Sequence, residues 1–326
     1  MPNRRECLAL LASAGLTPVL GRAAWAQAWP ARPIRIVVPF PAGGSADVSA
    51  RLIGDALRDA LGQGTVVENK LGAGGNLAAT DAARSAPDGY TLFVGTNGTQ
   101  TINGSLYRRS GFDPVKDFTP IGLVWESPNL VVVNKDLPVN SVAELVAYAK
   151  ARPDALSFGS SGIGSPTHLA AELFKAQTGA PMTHVPYRGQ APAITDLLSG
   201  QLQVMFPLVP DILVHLQSGA VKALGIAAPA RSDILPAVPT MAEAGAQGVV
   251  ASAWIGLFAP AGLEASIRAR LERELAQILG KPGFVQRLRE LGVAVQPVFG
   301  DAFVEKMNSE RAHWAKLIGD LGVKID

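Results

Sequence analysis

Short apolar runs alternate along the chain with segments whose apolar residues recur at helical spacing, and this alternation limits the fold more than any other feature. Ile34–Val38 is almost continuously apolar, as expected for a strand that is covered on both faces. Residues 47–61 then repeat apolar side chains at helical spacing. The alternation predicts α/β lobes in which helices flank parallel-type sheets.

The same alternation continues beyond these two segments. Ser141 and Glu144 form a capping box that opens a helix ending at Lys150. Three helical patterns fill the C-terminal part of the chain. Two more helices are predicted at 167–177 and 193–199, and further strands at 65–69, 91–95, 130–134, 157–158, 182–185, 204–206 and 224–226.

The first 26 residues have the pattern of an export signal. Arg4 and Arg5 precede an apolar run, and a small-x-small cleavage pattern ends at Ala26. The alternative is an N-terminal core helix, but Gly15 and Pro18 interrupt the run. We therefore expect export to the periplasm with cleavage near Ala26, by either the Sec or the twin-arginine route.

The exported part of the chain is electrically neutral. Without the three arginines and one glutamate of the signal segment, 26 basic and 26 acidic residues remain of 29 and 27. No basic footprint is left for nucleic acid, so no nucleic-acid partner is expected. The only cysteine, Cys7, lies in the signal segment, which excludes disulfides and thiolate chemistry from the exported part.

The motifs of common enzyme and cofactor sites are absent or incomplete. The four histidines have no metal-ligand spacing. Ile163 occupies the last glycine position of a GxSxG motif, and Leu77 the third glycine position of GxGxxG. The sequence therefore predicts no catalytic residue, no metal and no cofactor.

Instead, three strands end in loops of small residues that lead into a helix, at 39–47, 95–99 and 159–167. Backbone N–H groups at such turns, with a helix dipole behind them, can bind an anion without a basic side chain. The alternative is that these are ordinary strand-to-helix turns, which every α/β protein needs.

A series of short strings, in order along the chain, resembles the substrate-binding receptors of tripartite tricarboxylate transporters, the Bug family. Among them are Arg32-Pro33-Ile34-Arg35-Ile36-Val37-Val38-Pro39-Phe40, Val67-Glu68-Asn69-Lys70, Pro87-Asp88-Gly89-Tyr90, Thr167-His168-Leu169-Ala170 and His184-Val185-Pro186-Tyr187-Arg188-Gly189. The resemblance covers essentially the whole exported chain.

This resemblance implies a two-lobed periplasmic-binding-protein type II fold with two crossing hinge strands, near 123–125 and 254–258. Lobe 1 is expected to contain residues 27–124 and 256–326, and lobe 2 residues 125–255. A monomeric receptor is implied, which clamps a small carboxylate between its lobes and delivers it to membrane permease subunits. No enzymatic step is implied.

Carried over by motif, the resemblance assigns ligand contacts to two facing loops, a floor and a rim. The 40–47 loop contributes Phe40, Pro41, Ala42, Gly43, Gly44, Ser45 and Asp47; the 160–167 loop contributes Ser160, Ser161, Gly162, Ile163 and Thr167; the floor contributes Thr96 and Asn97; the rim contributes Tyr187 and Arg188, and Pro207 follows a strand into the cleft.

Several of these positions have a second interpretation. Asp47 lies in a first helical turn, where a carboxylate is favourable in any case, or it accepts a ligand ammonium or a water. Ser165 before Pro166 has the pattern of a helix N-cap. Arg188 either clamps a carboxylate or is a solvated surface arginine. Tyr187 either contacts the ligand or packs at the lobe edge.

Two departures from the family pattern make the expected cleft more apolar. Ala46 stands where many relatives carry threonine, and Pro207 where a polar residue is frequent. A monocarboxylate or an aromatic acid becomes an expected ligand beside citrate-like acids. The alternative functions are a secreted enzyme acting on a small carboxylate and a ligand-sensing partner of a signalling protein.

Overall fold

The computed structural model describes residues 29–322, 324 and 325. The predicted export signal and its cleavage point near Ala26 lie outside the described residues. The strands are β1 (Ile34–Val38), β2 (Thr65–Asn69), β3 (Thr91–Thr96), β4 (Phe118–Pro128), β5 (Leu130–Asn134), β6 (Ser157–Ser160), β7 (Thr183–Pro186), β8 (Val204–Met205), β9 (Val221–Ile226), β10 (Ser252–Pro260) and β11 (Ala294–Val298).

The α-helices lie between and after these strands. They are α1 (Ser45–Leu61), α2 (Asn76–Ala83), α3 (Asn103–Leu106), α4 (Val142–Ala151), α5 (Pro166–Thr178), α6 (Gln190–Ser199), α7 (Val209–Gln217), α8 (Ala265–Leu279), α9 (Pro282–Glu290) and α10 (Gly300–Leu321). Short helical turns also occupy Ala73–Gly75 and Gly98–Ile102.

The strands form two sheets, which confirms the predicted two-lobed α/β architecture. The first sheet has the order β11-β4-β10-β3-β1-β2 and the second β7-β6-β8-β5-β9. β1 pairs in parallel with β2 and β3, and β6 pairs in parallel with β7 and β8. Each sheet is nevertheless mixed, because β10 runs antiparallel to β3 and β4, and β5 runs antiparallel to β8 and β9.

The two strands that connect the lobes, β4 and β10, pair with each other along their whole length. Their register runs from Ser252 opposite Pro128 to Pro260 opposite Phe118. Trp125 of β4 donates its indole N–H to the hydroxyl of Ser49 in α1 at 2.9 Å. This bond ties the hinge to the first turns of α1. The lobe boundaries near 124 and 255 stay a prediction.

The buried core continues from one lobe to the other. Phe158 and Val131 of the second sheet belong to the same buried apolar cluster as Leu106 of α3. Trp314 and Leu317 near the end of α10 join that cluster. The C-terminal helix therefore packs against residues of both lobes.

Many element bounds agree with the sequence pattern, and the differences have local causes. β1, β2 and β5 have the predicted bounds. Helix α2 was not predicted because it buries only small residues and Asn76, and so carries no stripe of large apolar side chains. Helix α4 begins as predicted, since the Ser141 side chain accepts the Glu144 N–H.

Candidate ligand-binding site

The loops that follow β1, β2 and β3 meet at one edge of the first sheet, because parallel strands end on the same side. Gly75, after β2, lies between the other two loops. A β-carbon on Gly75 would be 3.0 Å from Pro39 and 2.8 Å from Thr99. Gly75 also has φ of +94°, so both conformation and space require glycine here.

The second lobe has a corresponding edge, formed after β6, β7 and β8. The Tyr187 N–H donates to the Ser160 carbonyl at 3.1 Å, which joins the loops after β6 and β7. The Pro207 carbonyl, after β8, accepts the Leu130 N–H at 2.8 Å. The positions assigned to the second lobe therefore surround one edge of one sheet.

The two lobes touch beside these edges. Leu106 of the first lobe packs against Gly164 of the 160–167 loop so closely that a β-carbon on Gly164 would overlap it. The same β-carbon would lie 3.1 Å from Ile325. Helix α3 of the first lobe thus packs against the 160–167 loop, which follows the carboxyl end of β6; ligands of open α/β sheets bind at such ends.

Asp47 is engaged inside the 40–47 loop. Its side chain is buried, and it accepts the Gly43 N–H at 2.9 Å, two bonds from Arg51 at 3.0 Å each and one from Asn69 at 2.9 Å. Burial by itself raises the pKa of Asp47, but these hydrogen bonds outweigh it and hold the pKa below its usual value. Asp47 therefore shapes the loop as a carboxylate at neutral pH.

The remainder of this loop is open to solvent and leads to the N-terminus of α1. Residues 40–44 are exposed, with Phe40 at 37%. Gly44 is the N-cap of α1 and supplies no side-chain acceptor. The first N–H groups of a helix have no partner within it, so those of Ser45 and Ala46 are available to an anion.

Thr167 organises the facing loop. Its Oγ1 accepts the Ser161 N–H at 3.0 Å and lies 3.2 Å from Ser161 Oγ and 3.0 Å from Ser165 Oγ. Ser165 is the N-cap of α5, as predicted, because its side chain accepts the His168 N–H and Pro166 begins the helix. Ile163 at the tip of the loop is 54% exposed.

The floor residues are buried at the hinge. Thr96 Oγ1 accepts the Thr99 N–H at 3.3 Å, which is a local turn contact. The Asn97 amide donates to the Ser252 carbonyl of β10 at 2.7 Å, while its Oδ1 is buried without a partner in the described part of the chain. Asn97 thus links the first-lobe edge to a crossing strand.

The rim residues differ in their surroundings. The Tyr187 hydroxyl donates to Asp196 at 2.5 Å. Burial, together with Asp196, raises the pKa of Tyr187 to about 12. Arg188 is exposed and Pro207 is buried.

The sequence pattern did not reveal a pair of stacked histidines beneath the 160–167 loop. The rings of His168 and His184 lie 4.0 Å apart between centroids, and His184 Nε2 lies 2.7 Å from Ser160 Oγ. A serine and histidine in contact could suggest a nucleophile, but Ser160 is fully buried and its hydroxyl also contacts the Gly162 backbone. No sequence signal joins these histidines, since they belong to different elements.

A separate cavity of about 520 Å³ is lined by residues of the crossing strands and of both lobes, including Glu126, Ser252, Arg289 and Lys306. None of the predicted site residues lines it. Lys306 lies 3.0 Å from both Glu126 and Glu310, so its charge is already paired.

Among residues 29–322, no three histidine, cysteine or acidic side chains are grouped so as to hold a metal ion. Nor does that part of the chain contain a helix both long enough and apolar enough to span a membrane.

Comparison with known families assigns most of the chain to one family. Residues 49–323 match the Tripartite tricarboxylate transporter family receptor. The chain belongs to this family.

Relatives of this receptor family match over nearly their full length. BugT of Bordetella pertussis is 37% identical over 301 residues, covering 92% of each protein. The structure of Rpa4515 from R. palustris with adipate is 38% identical, with a TM-score of 0.83, covering 91% of this chain and 99% of that one. MatC from Rhodopseudomonas palustris with bound malate is 36% identical, with a TM-score of 0.79, covering 89% and 100%.

Proposed function

We propose that this chain is an extracytoplasmic solute receptor that binds a small carboxylate between its two lobes and delivers it to membrane permease subunits of a tripartite tricarboxylate-type transporter. The observation that carries the proposal is the meeting of two loop-rich sheet edges at the hinge. The 40–47 loop presents the N-terminus of α1, and the 160–167 loop presents that of α5. Both helix N-termini favour an anion.

Two relatives support a carboxylate as the ligand class. Rpa4515 is described with adipate and MatC with malate. Each is at least 36% identical to this chain.

The character of the two loops supports a ligand with an apolar body. Phe40 of the 40–47 loop and Ile163 of the 160–167 loop are large apolar side chains that remain exposed. Ala46 and Pro207 add no hydroxyl or charge. A monocarboxylate, an aromatic acid or a dicarboxylate with a methylene chain would bury more apolar surface here than a short hydroxy acid.

A titration series would test the ligand class directly. We would measure calorimetric binding of adipate, malate, benzoate and acetate to the purified protein at pH 7.5. We expect saturable binding of at least one acid, with adipate or benzoate tighter than malate. Small-angle scattering should show contraction with that acid, as expected when lobes close on a ligand.

The same preparation separates the receptor from the alternative functions. An enzyme would convert the bound acid, whereas a receptor should release the acid unchanged after prolonged incubation. Recovery of a product, or the absence of binding to every acid of a wider carboxylate library, would contradict the proposal. If cells that lack the cognate permease still make this protein but no longer take up the acid, a role in transport is favoured over a role in sensing.

Export is tested by intact mass. We expect the periplasmic protein to begin near Gln27. A periplasmic protein that still carries Met1 to Ala26 would contradict the cleavage position, and a purely cytoplasmic protein would contradict the localisation.

A further inference from the structure

We infer that His168, in its uncharged form, is a positioning residue that holds the 160–167 loop in its ligand-facing conformation, so that protonation of this ring weakens carboxylate binding. The binding measurement that tests this inference rests on the proposed function. Its structural part concerns the loop itself and can be tested without a ligand.

The decisive contact joins His168 to the tip of the loop. The Gly164 N–H points at His168 Nδ1 at 3.0 Å. A backbone N–H can only donate, so Nδ1 must carry a lone pair and the ring proton must be on Nε2. Nε2 in turn lies 3.8 Å from the Glu172 carboxylate.

A second proton on the ring would oppose this contact. In the imidazolium form both nitrogens carry hydrogen, so two N–H groups would point at each other across 3.0 Å. The ring is only 5% exposed and stacks on His184, so it has no room to turn away. Gly164 would then have to move.

The surroundings of the ring favour the uncharged form. Burial lowers the pKa of His168 to about 4, and the nearby Lys175 contributes in the same direction. Burial also lowers the pKa of His184 to about 4, with His168 and Lys175 acting in the same direction and Glu172 opposing them. Glu172 is the carboxylate nearest the ring, and it is already paired with Lys175 at 2.9 Å.

His184 is less sensitive than His168 because its partner is a hydroxyl. Ser160 Oγ can donate to a neutral ring or accept from a charged one. The Gly162 carbonyl, 3.1 Å from Ser160 Oγ, can take the hydroxyl proton in the second case. The Gly164–His168 bond has no such second arrangement.

Movement of Gly164 would reach the ligand side of the loop. Gly164 has φ of +75° and packs against Leu106 of the first lobe. The next residue, Ser165, donates its N–H to the Gly162 carbonyl at 3.2 Å and caps α5. The bond to His168 therefore fixes the part of the loop that meets the opposite lobe.

The first experiment uses the ligand-free protein. Nuclear magnetic resonance would follow the His168 ring nitrogens and the Gly164 amide from pH 7.5 to 3.5. We expect the neutral ring to carry its proton on Nε2, and the Gly164 amide to lose its hydrogen-bond shift and exchange protection as the ring takes up a proton. A Gly164 amide that is unchanged across the ring titration would overturn the inference.

The second experiment compares variants by calorimetry with adipate. His168→Asn places an oxygen acceptor close to the position of Nδ1 and cannot take up a proton. His313→Asn on α10 is the matched control, since His313 is exposed. For each protein we would take the ratio of Kd at pH 3.5 to Kd at pH 7.5. Protonation of adipate itself changes every ratio by the same factor, so differences between the ratios come from the protein.

We expect this ratio to be about fourfold larger for the wild type and for His313→Asn than for His168→Asn. With a pKa of about 4, roughly a quarter of the protein has an uncharged His168 ring at pH 3.5 and can bind. Equal ratios in all three proteins would overturn the inference. If adipate does not bind, another acid of the carboxylate library that binds takes its place; if no acid of that library binds the wild type, the proposed function fails and the Gly164 amide alone decides the inference.

Discussion

Arg51 donates two hydrogen bonds to the buried carboxylate of Asp47, from Nε and Nη2 at 3.0 Å each. The same carboxylate accepts the Gly43 N–H at 2.9 Å. One glycine N–H of the 40–47 loop is therefore held by the protein itself. An anionic ligand at this loop is left with the N–H groups at the start of α1.

Gly44→Asp should weaken binding strongly and leave the fold intact. Gly44 has φ of −75° and a β-carbon there would meet only the Pro41 carbonyl at 3.5 Å, so the side chain fits. An aspartate at an N-cap accepts the free N–H groups of the first turn. It would occupy the donors expected for the ligand and add a like charge, so Kd should rise at least about 100-fold, or roughly 2.7 kcal/mol.

Calorimetry with the best-binding acid measures this change, and circular dichroism during heating checks the fold. Gly44→Ala is the matched control, because it adds a β-carbon without an acceptor or a charge. Near-normal affinity of a folded Gly44→Asp protein would place the ligand away from α1.

Asp47→Asn should lower stability at neutral pH by about 1–3 kcal/mol, because Arg51 loses a charged partner and the buried loop bonds weaken. The pKa of Asp47 is lower in the folded state than its ordinary value of 3.8. Its contribution is therefore fully present above about pH 4 and is lost as the pH falls through the folded-state pKa.

Urea denaturation of wild type and Asp47→Asn at pH 7 and pH 3 measures this difference, which should shrink in acid. Asp55→Asn, on the exposed face of α1, is the control and should change stability by less than about 0.5 kcal/mol. A difference that stays constant between the two pH values would contradict the assigned role.

Tyr187→Phe should change stability more than affinity. The hydroxyl already donates to Asp196 at 2.5 Å, so its removal leaves a half-buried carboxylate without that donor. We expect a loss of about 1 kcal/mol in unfolding free energy and a change in Kd below about threefold. A large loss of affinity with unchanged stability would show that the hydroxyl serves the ligand instead.

Lys306→Met should destabilise the hinge by roughly 3 kcal/mol, because Glu126 and Glu310 would be left together without their shared cation. Burial alone lowers the pKa of Lys306, but the two carboxylates outweigh it and raise the pKa above 10.5. The contribution of Lys306 is thus present below pH 10.5 and is lost as the pH rises through the folded-state pKa.

Thermal denaturation compares this variant with Lys316→Met, in which an exposed pair with Asp320 is broken. The exposed pair should contribute less than about 1 kcal/mol. Equal effects of the two variants would contradict the assignment of Lys306 to a hinge network.

Local elements of this protein could be predicted because their causes are local. The bounds of β1 follow from five consecutive residues, and Ser165 caps α5 through a bond to a residue three positions away. The loops assigned to the ligand by family resemblance follow the carboxyl ends of parallel strands in the two sheets. Their contact with a ligand stays a prediction.

Other features depend on residues that are far apart in the chain. Asp47 is a candidate ligand group from its position; Arg51 lies one helical turn away, but only the fold brings Asn69 onto the same carboxylate. The stacking of His168 on His184 joins helix α5 to strand β7, so no spacing in the sequence signals it.

The sequence by itself determined the α/β alternation, the small-residue loops and the family, because periodicity and short motifs are carried by neighbouring residues. Only the tertiary structure decided that Glu126 joins Glu310 on Lys306 and that the ring of His168 is buried against His184. Those properties depend on distances across the fold. Burial and hydrogen bonding determine the charge of a side chain only after folding has brought its distant neighbours into contact with it.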